Sequence, residues 1–178
     1  MLTIKIPASK AFDEETETFV FYEPVTLKLE HSLISLHKWE SKWHKSFLNS
    51  TDLTVEENLD YIRCMCIDPN VSPSVLARIG KTEQDQIRDY IHDPMTATTF
   101  SKQEGRHNRQ IITAELIYYW MISFEIPFEC AKWHLNQLFA LINVCAIKNN
   151  PKKMSAKASA KYRAELNEAR RAKLGTSG

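Results

Sequence analysis

Residues 107–145 read HNRQIITAELIYYWMISFEIPFECAKWHLNQLFALINVC, and this stretch decides the fold class. It is the most apolar part of the chain, with Ile, Leu, Phe, Tyr and Trp recurring at helical spacing. Pro127 divides it. The residue before a proline is pushed out of the helical region, and proline suits the first turn of a following helix. The spacing predicts helices over 110–123 and 128–147, joined at Phe124-Glu125-Ile126. Glu129 falls in the first turn of the second helix, where its charge suits the helix dipole. Phe128, Ala131, Leu135, Leu138, Ile142 and Cys145 then share one face. Two helices this apolar must bury one another or find a partner, so a central antiparallel helix pair is expected.

Upstream, residues 2–6 alternate as Leu-Thr-Ile-Lys-Ile, which is strand spacing, and Pro7 closes the run. Residues 13–17 are acidic and read as a loop. Phe19-Val20-Phe21-Tyr22 is rich in strand formers, and residues 25–29 alternate again beyond Glu23-Pro24. A small antiparallel sheet of two or three strands is expected in the first 30 residues. It needs a helix against one face.

From Ser32 the pattern is helical, with Leu33, Leu36, Trp39, Trp43 and Phe47 on one stripe. Among His37, Trp39, Trp43 and His44, the preferred reading is a helix covering the open face of the sheet, ahead of a binding surface. Thr54 and Glu57 have capping-box spacing before Leu59, Ile62 and Met65, and Asp68-Pro69-Asn70 ends that helix. Ser72-Pro73 opens a short helix stopped at Gly80. Thr82 is the expected cap of another, running to about His92 with Ile87, Tyr90 and Ile91 inward. Residues 93–109 read as a long loop.

The expected architecture is α+β and mainly helical. Residues 1–150 form one globular domain: a small amino-terminal sheet over 1–30 packed on a helical body over 32–148. Residues 151–178 form a basic carboxy-terminal arm. Of 178 residues, 43% are hydrophobic, enough for a real core. The formal charge of +1 hides an asymmetry: the arm carries +6 and the preceding 150 residues −5. The arm favours helix over about 155–173 through its Ala content, with a thin stripe of Tyr162, Leu166 and Ala169. Such a helix is marginal alone, so the arm is expected to be partly disordered, or ordered on a partner.

The four cysteines (Cys64, Cys66, Cys130, Cys145) read as free thiols in a reducing compartment, and no secretory signal or membrane-length apolar run is visible. Four glycines cannot assemble a nucleotide-binding loop. Cys64-x-Cys66 lacks the spacing of a zinc knuckle. Cys130 and His134 stand at i, i+4, which would suit a metal or a thiolate–imidazole pair. Beyond His107 no further ligand supports them, and an ordinary helix histidine is preferred. Glu115, Glu125 and Glu129 read as capping or solvated acids. No catalytic, cofactor-binding or metal-binding residue is therefore assigned. The arm's Lys and Arg could neutralise phosphates, but one tyrosine and two interrupting acids disfavour nucleic acid against docking on a protein.

Several segments carry a resemblance. These are Leu29-Glu30-His31-Ser32-Leu33-Ile34-Ser35 running into Lys38-Trp39-Glu40-Ser41-Lys42-Trp43, then Asp60-Tyr61-Ile62-Arg63-Cys64-Met65 and Met95-Thr96-Ala97-Thr98. Ile112-Thr113-Ala114-Glu115 with Tyr118-Tyr119-Trp120-Met121, and Ile126-Pro127-Phe128-Glu129-Cys130 with Lys132-Trp133-His134-Leu135-Asn136, continue it. Lys152-Lys153-Met154-Ser155, Leu166-Asn167 and Ala169-Arg170-Arg171 close it. Over about 18–174 the chain resembles tail assembly chaperones of long-tailed bacteriophages and prophages. The resemblance implies a non-catalytic protein of the host cytoplasm. It would keep the amphipathic tape-measure protein soluble until tail-tube subunits polymerise around it. The implied partners are the tape-measure protein and, secondarily, the major tail-tube protein. Self-association stays open, and no membrane or cofactor is involved. Alternatives are a structural virion component, such as a head–tail connector or tail accessory protein, and a nucleic-acid-binding module using the arm. Tyr118, Trp133 and Phe139 in the central stretch, with Tyr162, Leu166, Arg170 and Arg171 in the arm, are the candidate partner-binding residues.

Overall fold

The computed structural model describes residues 1–13, 17–100, 110–149 and 156–175. The order is β1 (Leu2–Ile6), β2 (Ser9–Asp13), β3 (Thr18–Tyr22), β4 (Val25–Leu29), α1 (Leu33–Trp43), α2 (Val55–Met65), α3 (Pro73–Leu76), α4 (Lys81–His92), α5 (Ala114–Ser123), a 3-10 turn (Phe128–Lys132), α6 (Leu135–Asn149) and α7 (Ala156–Leu174). The protein is α+β and mainly helical, as expected.

The strands form one long antiparallel ribbon interrupted once. β1 pairs with β4 from Leu2↔Leu29 to Ile6↔Val25, and β2 with β3 from Ser9↔Tyr22 to Asp13↔Thr18. The same register holds on both sides of the break, which skips Pro7-Ala8 on one strand and Glu23-Pro24 on the other. Proline has no N–H for the ladder, so the interruption falls at Pro7 and Pro24. Strand β2 is not among the expected elements: with Pro7 closing the first run, nothing is assigned between it and the acidic loop over 13–17. In the inner ladder Ile4, Ile6, Leu27 and Leu29 are buried while their alternating neighbours face solvent.

Helix α1 is the hub, packing on α2, α5 and the 3-10 turn, while α4 packs on β1. Ser32 caps α1, accepting from the N–H of Ser35 at 3.2 Å. His44 ends it in the left-handed region at φ 53°, its N–H returning to Glu40 O. The tryptophans turn toward α2 rather than over the sheet, correcting the expected arrangement. Trp39 Nε1 donates to Glu57 O at 2.9 Å and Trp43 Nε1 to Asp60 Oδ2 at 2.9 Å. Both indoles need an acceptor when buried, and α2 supplies it. Phe47 lies beyond the helix and stacks on Tyr61 at 3.6 Å.

The Thr54–Glu57 capping box of α2 is formed in full. The helix stops at Met65, earlier than Asp68-Pro69 suggested. Cys66 is extended and bridges Leu29, with Glu30 N donating to Met65 O and Ile67 N to Lys28 O, both at 2.9 Å. The chain leaves the helix to satisfy the outer edge of β4. Helix α4 begins at Lys81 with Gly80 as its cap residue, so Thr82 lies inside the first turn instead of capping it.

The central stretch departs most from expectation. Thr113 caps α5, so residues 110–112 precede the helix. After Ser123 the chain turns through Glu125 at φ 54°. The segment expected as one helix over 128–147 is two pieces, the 3-10 turn and α6, separated by an isolated bridge between Ser32 and His134. Leu135 N donates to His31 O at 2.7 Å, so the β4–α1 junction claims backbone groups that a continuous helix would have used. α1 and the 3-10 turn, rather than a closely packed α5–α6 pair, organise this region. Ala131, Leu135, Leu138 and Ile142 are buried as expected, but Cys145 is only half-buried and Phe128 is 59% exposed.

Candidate functional site

Cys130 and His134 do not form a reactive pair. The Nε2–H of His134 donates to Tyr90 O at 2.9 Å, while Nδ1 accepts from Asn136 N at 3.2 Å. Both ring nitrogens are thus engaged by backbone. The Cys130 thiol is buried in the 3-10 turn and pushed up by burial and by Glu129. His107 lies outside the described residues. Among the described residues no group of three His, Cys, Asp or Glu is arranged to hold a metal.

The histidines belong instead to a polar seam in the core. Tyr61 OH lies 2.6 Å from His31 Nδ1, and the His31 and His134 rings meet edge-to-face at 5.1 Å. Tyr90 continues the seam against His134 and donates its hydroxyl to Glu30 Oε1 at 2.6 Å. Burial, helped by His134 and His92, pushes the His31 imidazole down to about 3. Both histidines are held neutral at ordinary pH by the cost of a buried charge.

A groove of about 630 Å³ beside the end of α1 includes Glu40, His44, Ser46, Asn49 and Glu115. Its polar groups are largely occupied in fastening residues 111–114. Ser46 Oγ donates to Ile112 O at 2.6 Å, and Asn49 Oδ1 accepts from Ile112 N at 2.8 Å. Glu40 accepts from Ala114 N at 2.7 Å and Phe47 N at 3.0 Å, tying the end of α1 to the start of α5. Burial raises the Glu40 carboxyl, while its own backbone N–H and the Thr113 hydroxyl lower Glu115. Opposed shifts of this kind can mark an acid–base pair. Here both carboxylates act as helix-end acceptors. Glu125 and Glu129 are exposed.

What remains is surface. Tyr118 is half-buried on α5, with its ring edge-on to His37 at 6.0 Å and tilted against Phe128 at 6.2 Å. Around it Tyr119 and Ile122 are each 62% exposed, and Phe128 stands out from the 3-10 turn. Trp133 is 40% exposed, and Phe139 is half-buried against the core. The structure brings Tyr118 to Phe128, a residue the sequence assigned to the buried face. Tyr162 and Leu166 are half-buried on α7, and Arg170 and Arg171 are exposed there. Lys173 Nζ, near the end of that helix, donates to Thr96 O at 2.7 Å.

A second apolar surface was missed from sequence. On the outer ribbon, Phe12, Phe19 and Phe21 are 53%, 56% and 71% exposed. Phe12 and Phe19 meet edge-to-face at 5.1 Å, and Lys10 Nζ lies 3.9 Å from the Phe19 centroid and 5.0 Å from that of Phe21. The signal was present: a two-stranded ribbon without a layer on each side must leave one face bare.

Comparison with protein-family models, with curated proteins and with solved structures returns no match. Among the described residues no helix is long and apolar enough to cross a membrane.

Proposed function

We propose that this protein is a non-catalytic tail assembly chaperone of a long-tailed bacteriophage or prophage, acting in the host cytoplasm by reversible binding of the tape-measure protein. The supporting observation is the bare aromatic and aliphatic surface of Tyr119, Ile122 and Phe128 around Tyr118. It sits on α5 and the 3-10 turn, which Glu40, Ser46 and Asn49 and the α1 packing hold in place. An apolar strip on a fixed helix suits the apolar face of an amphipathic partner helix. Trp133, close in sequence, extends the same class of surface.

Co-expression with the tape-measure protein of the same genome tests this reading. The two proteins should co-purify, and Tyr119→Ser with Phe128→Ser should reduce recovery about ten-fold, the scale of a lost interface anchor. Finished virions should lack the protein. Stoichiometric retention in virions would replace this reading with a structural tail or connector role, which the exposed ribbon favours.

A further inference from the structure

The outer ribbon is built to be covered. Strand alternation puts Lys10 and Phe12 on the same side as Ile4 and Ile6, and Phe19 and Phe21 on the same side as Leu27 and Leu29. In the inner ladder that side is core. In the outer ladder the same side carries three exposed phenylalanines. A two-stranded ribbon with an aromatic face in water is marginal alone.

Charge narrows the occupant. Residues 7–24 contain one lysine and five acids, a formal charge of −4. That charge opposes pairing of one ribbon with another, and repels nucleic acid and anionic lipid. The complementary element is in the same chain. Residues 156–175, which hold α7, contain six basic residues and two acids, a formal charge of +4. Arg163, Arg170 and Arg171 are exposed on it. Arg163 and Arg170 stand two turns apart, about 10 Å along the axis. The rings already accept a cation from Lys10, and guanidinium stacks on such faces at least as well. The carboxy end of α7 is fastened to Thr96 of its own body by Lys173.

We propose that the aromatic face of Phe12, Phe19 and Phe21 is a docking site for α7 of a second copy of this chain, giving head-to-tail self-association. An interface of this kind joins two different patches, so it propagates into a ring or a filament instead of stopping at a symmetric pair.

The test is sedimentation of the full chain across concentration. Wild type should associate beyond dimer, weakening about ten-fold from about 50 mM to about 500 mM salt as the opposed charges are screened. A ribbon variant, Phe19→Ser with Phe21→Ser, should be monomeric. A second ribbon variant, Glu17→Lys with Glu23→Lys, keeps the rings and should also be monomeric. A helix variant, Arg163→Glu with Arg170→Glu and Arg171→Glu, should be monomeric as well. Far-UV circular dichroism checks that each is folded. Mixing the Phe19/Phe21 variant with the helix variant should give a 1:1 dimer and nothing larger, because each partner then keeps one working half. Monomeric wild type at low salt overturns the proposal. So does association that survives the ribbon or helix substitutions, or a mixture that stays monomeric.

Discussion

The indole Nε1–H of Trp39 donates to the backbone carbonyl of Glu57 across 2.9 Å, joining the hub helix to the first turn of α2. Trp39 is fully buried, packed edge-on against Phe47 and Tyr61. Trp39→Ala should cost about 3–5 kcal/mol, as expected for emptying an aromatic site. Trp39→Phe keeps most of the packing but loses the donor, and should cost about 1–2 kcal/mol. Urea midpoints for the two variants check the order. A Trp39→Phe midpoint equal to that of the wild type would show that the hydrogen bond contributes nothing beyond volume.

Glu40 makes a different prediction, because its two oxygens serve two backbone N–H groups on separate segments. Glu40→Gln keeps one acceptor and turns an amide toward the other donor. The loss should be about 2 kcal/mol, the scale of a charge-assisted bond replaced by an unsatisfied one. Amide exchange at Phe47 and Ala114 should accelerate selectively. Unchanged exchange at both would mean that the carboxylate is not holding them.

Stability should also fall on mild acidification. His31 and His134 have folded values below the ordinary 6.5, His31 down to about 3. Below about pH 6.5 the unfolded chain binds protons that the folded chain refuses. Their contribution is therefore complete above that pH and is lost as pH falls toward the folded values. The slope is about 1.4 kcal/mol per pH unit for each histidine that stays neutral. Urea midpoints at pH 7, 6 and 5 measure it, and His31→Gln should flatten the curve. A wild-type midpoint that does not move between pH 7 and 5 contradicts the buried neutral pair.

Arg78 fastens the ribbon where the ladder breaks. Its guanidinium donates to the carbonyls of Pro7 and Glu23 and lies 5.2 Å from the Tyr22 ring centroid. Both carbonyls are met by one guanidinium nitrogen, so a lysine could still reach them, but it has no planar group to lay on the Tyr22 ring. Arg78→Lys should speed amide exchange in β2 and β3 while α1 and α2 keep their protection, with a global loss below about 1 kcal/mol. Uniform acceleration throughout the chain would refute a local role.

Much of this fold was legible where the signal is local. Ser32 and Thr54 were readable as caps, and residues 2–6 and 25–29 as strands, because side chain and backbone satisfy each other within a few positions. Three failures share a different cause. The 128–147 helix breaks because His134 bridges Ser32, a residue about 100 positions earlier. Helix α2 ends early because Cys66 bridges Leu29. The tryptophans of α1 face α2 because Glu57 and Asp60 offer acceptors there. In each case a long-range partner outweighs local spacing. The surface residues were harder still. Periodicity counted Phe128 as core, and alternation at Phe19 and Phe21 marked a strand without saying whether anything lies over it.

The uninterrupted register of the ribbon has an evolutionary consequence. Two residues are skipped on each strand at Pro7-Ala8 and Glu23-Pro24, so the parity of the pleat is preserved across the gap. Adding one residue to both strands at the gap would turn the outer phenylalanines through half a revolution relative to the body, leaving every local contact among them intact. Adding one to a single strand would leave the Lys10–Phe21 and Phe12–Phe19 pairs facing each other, because the β2–β3 hairpin sets their register, and the extra residue would have to be taken up as a bulge that re-aims the outer ladder. Relatives of this protein should therefore tolerate substitutions near the gap far better than odd-numbered changes in its length.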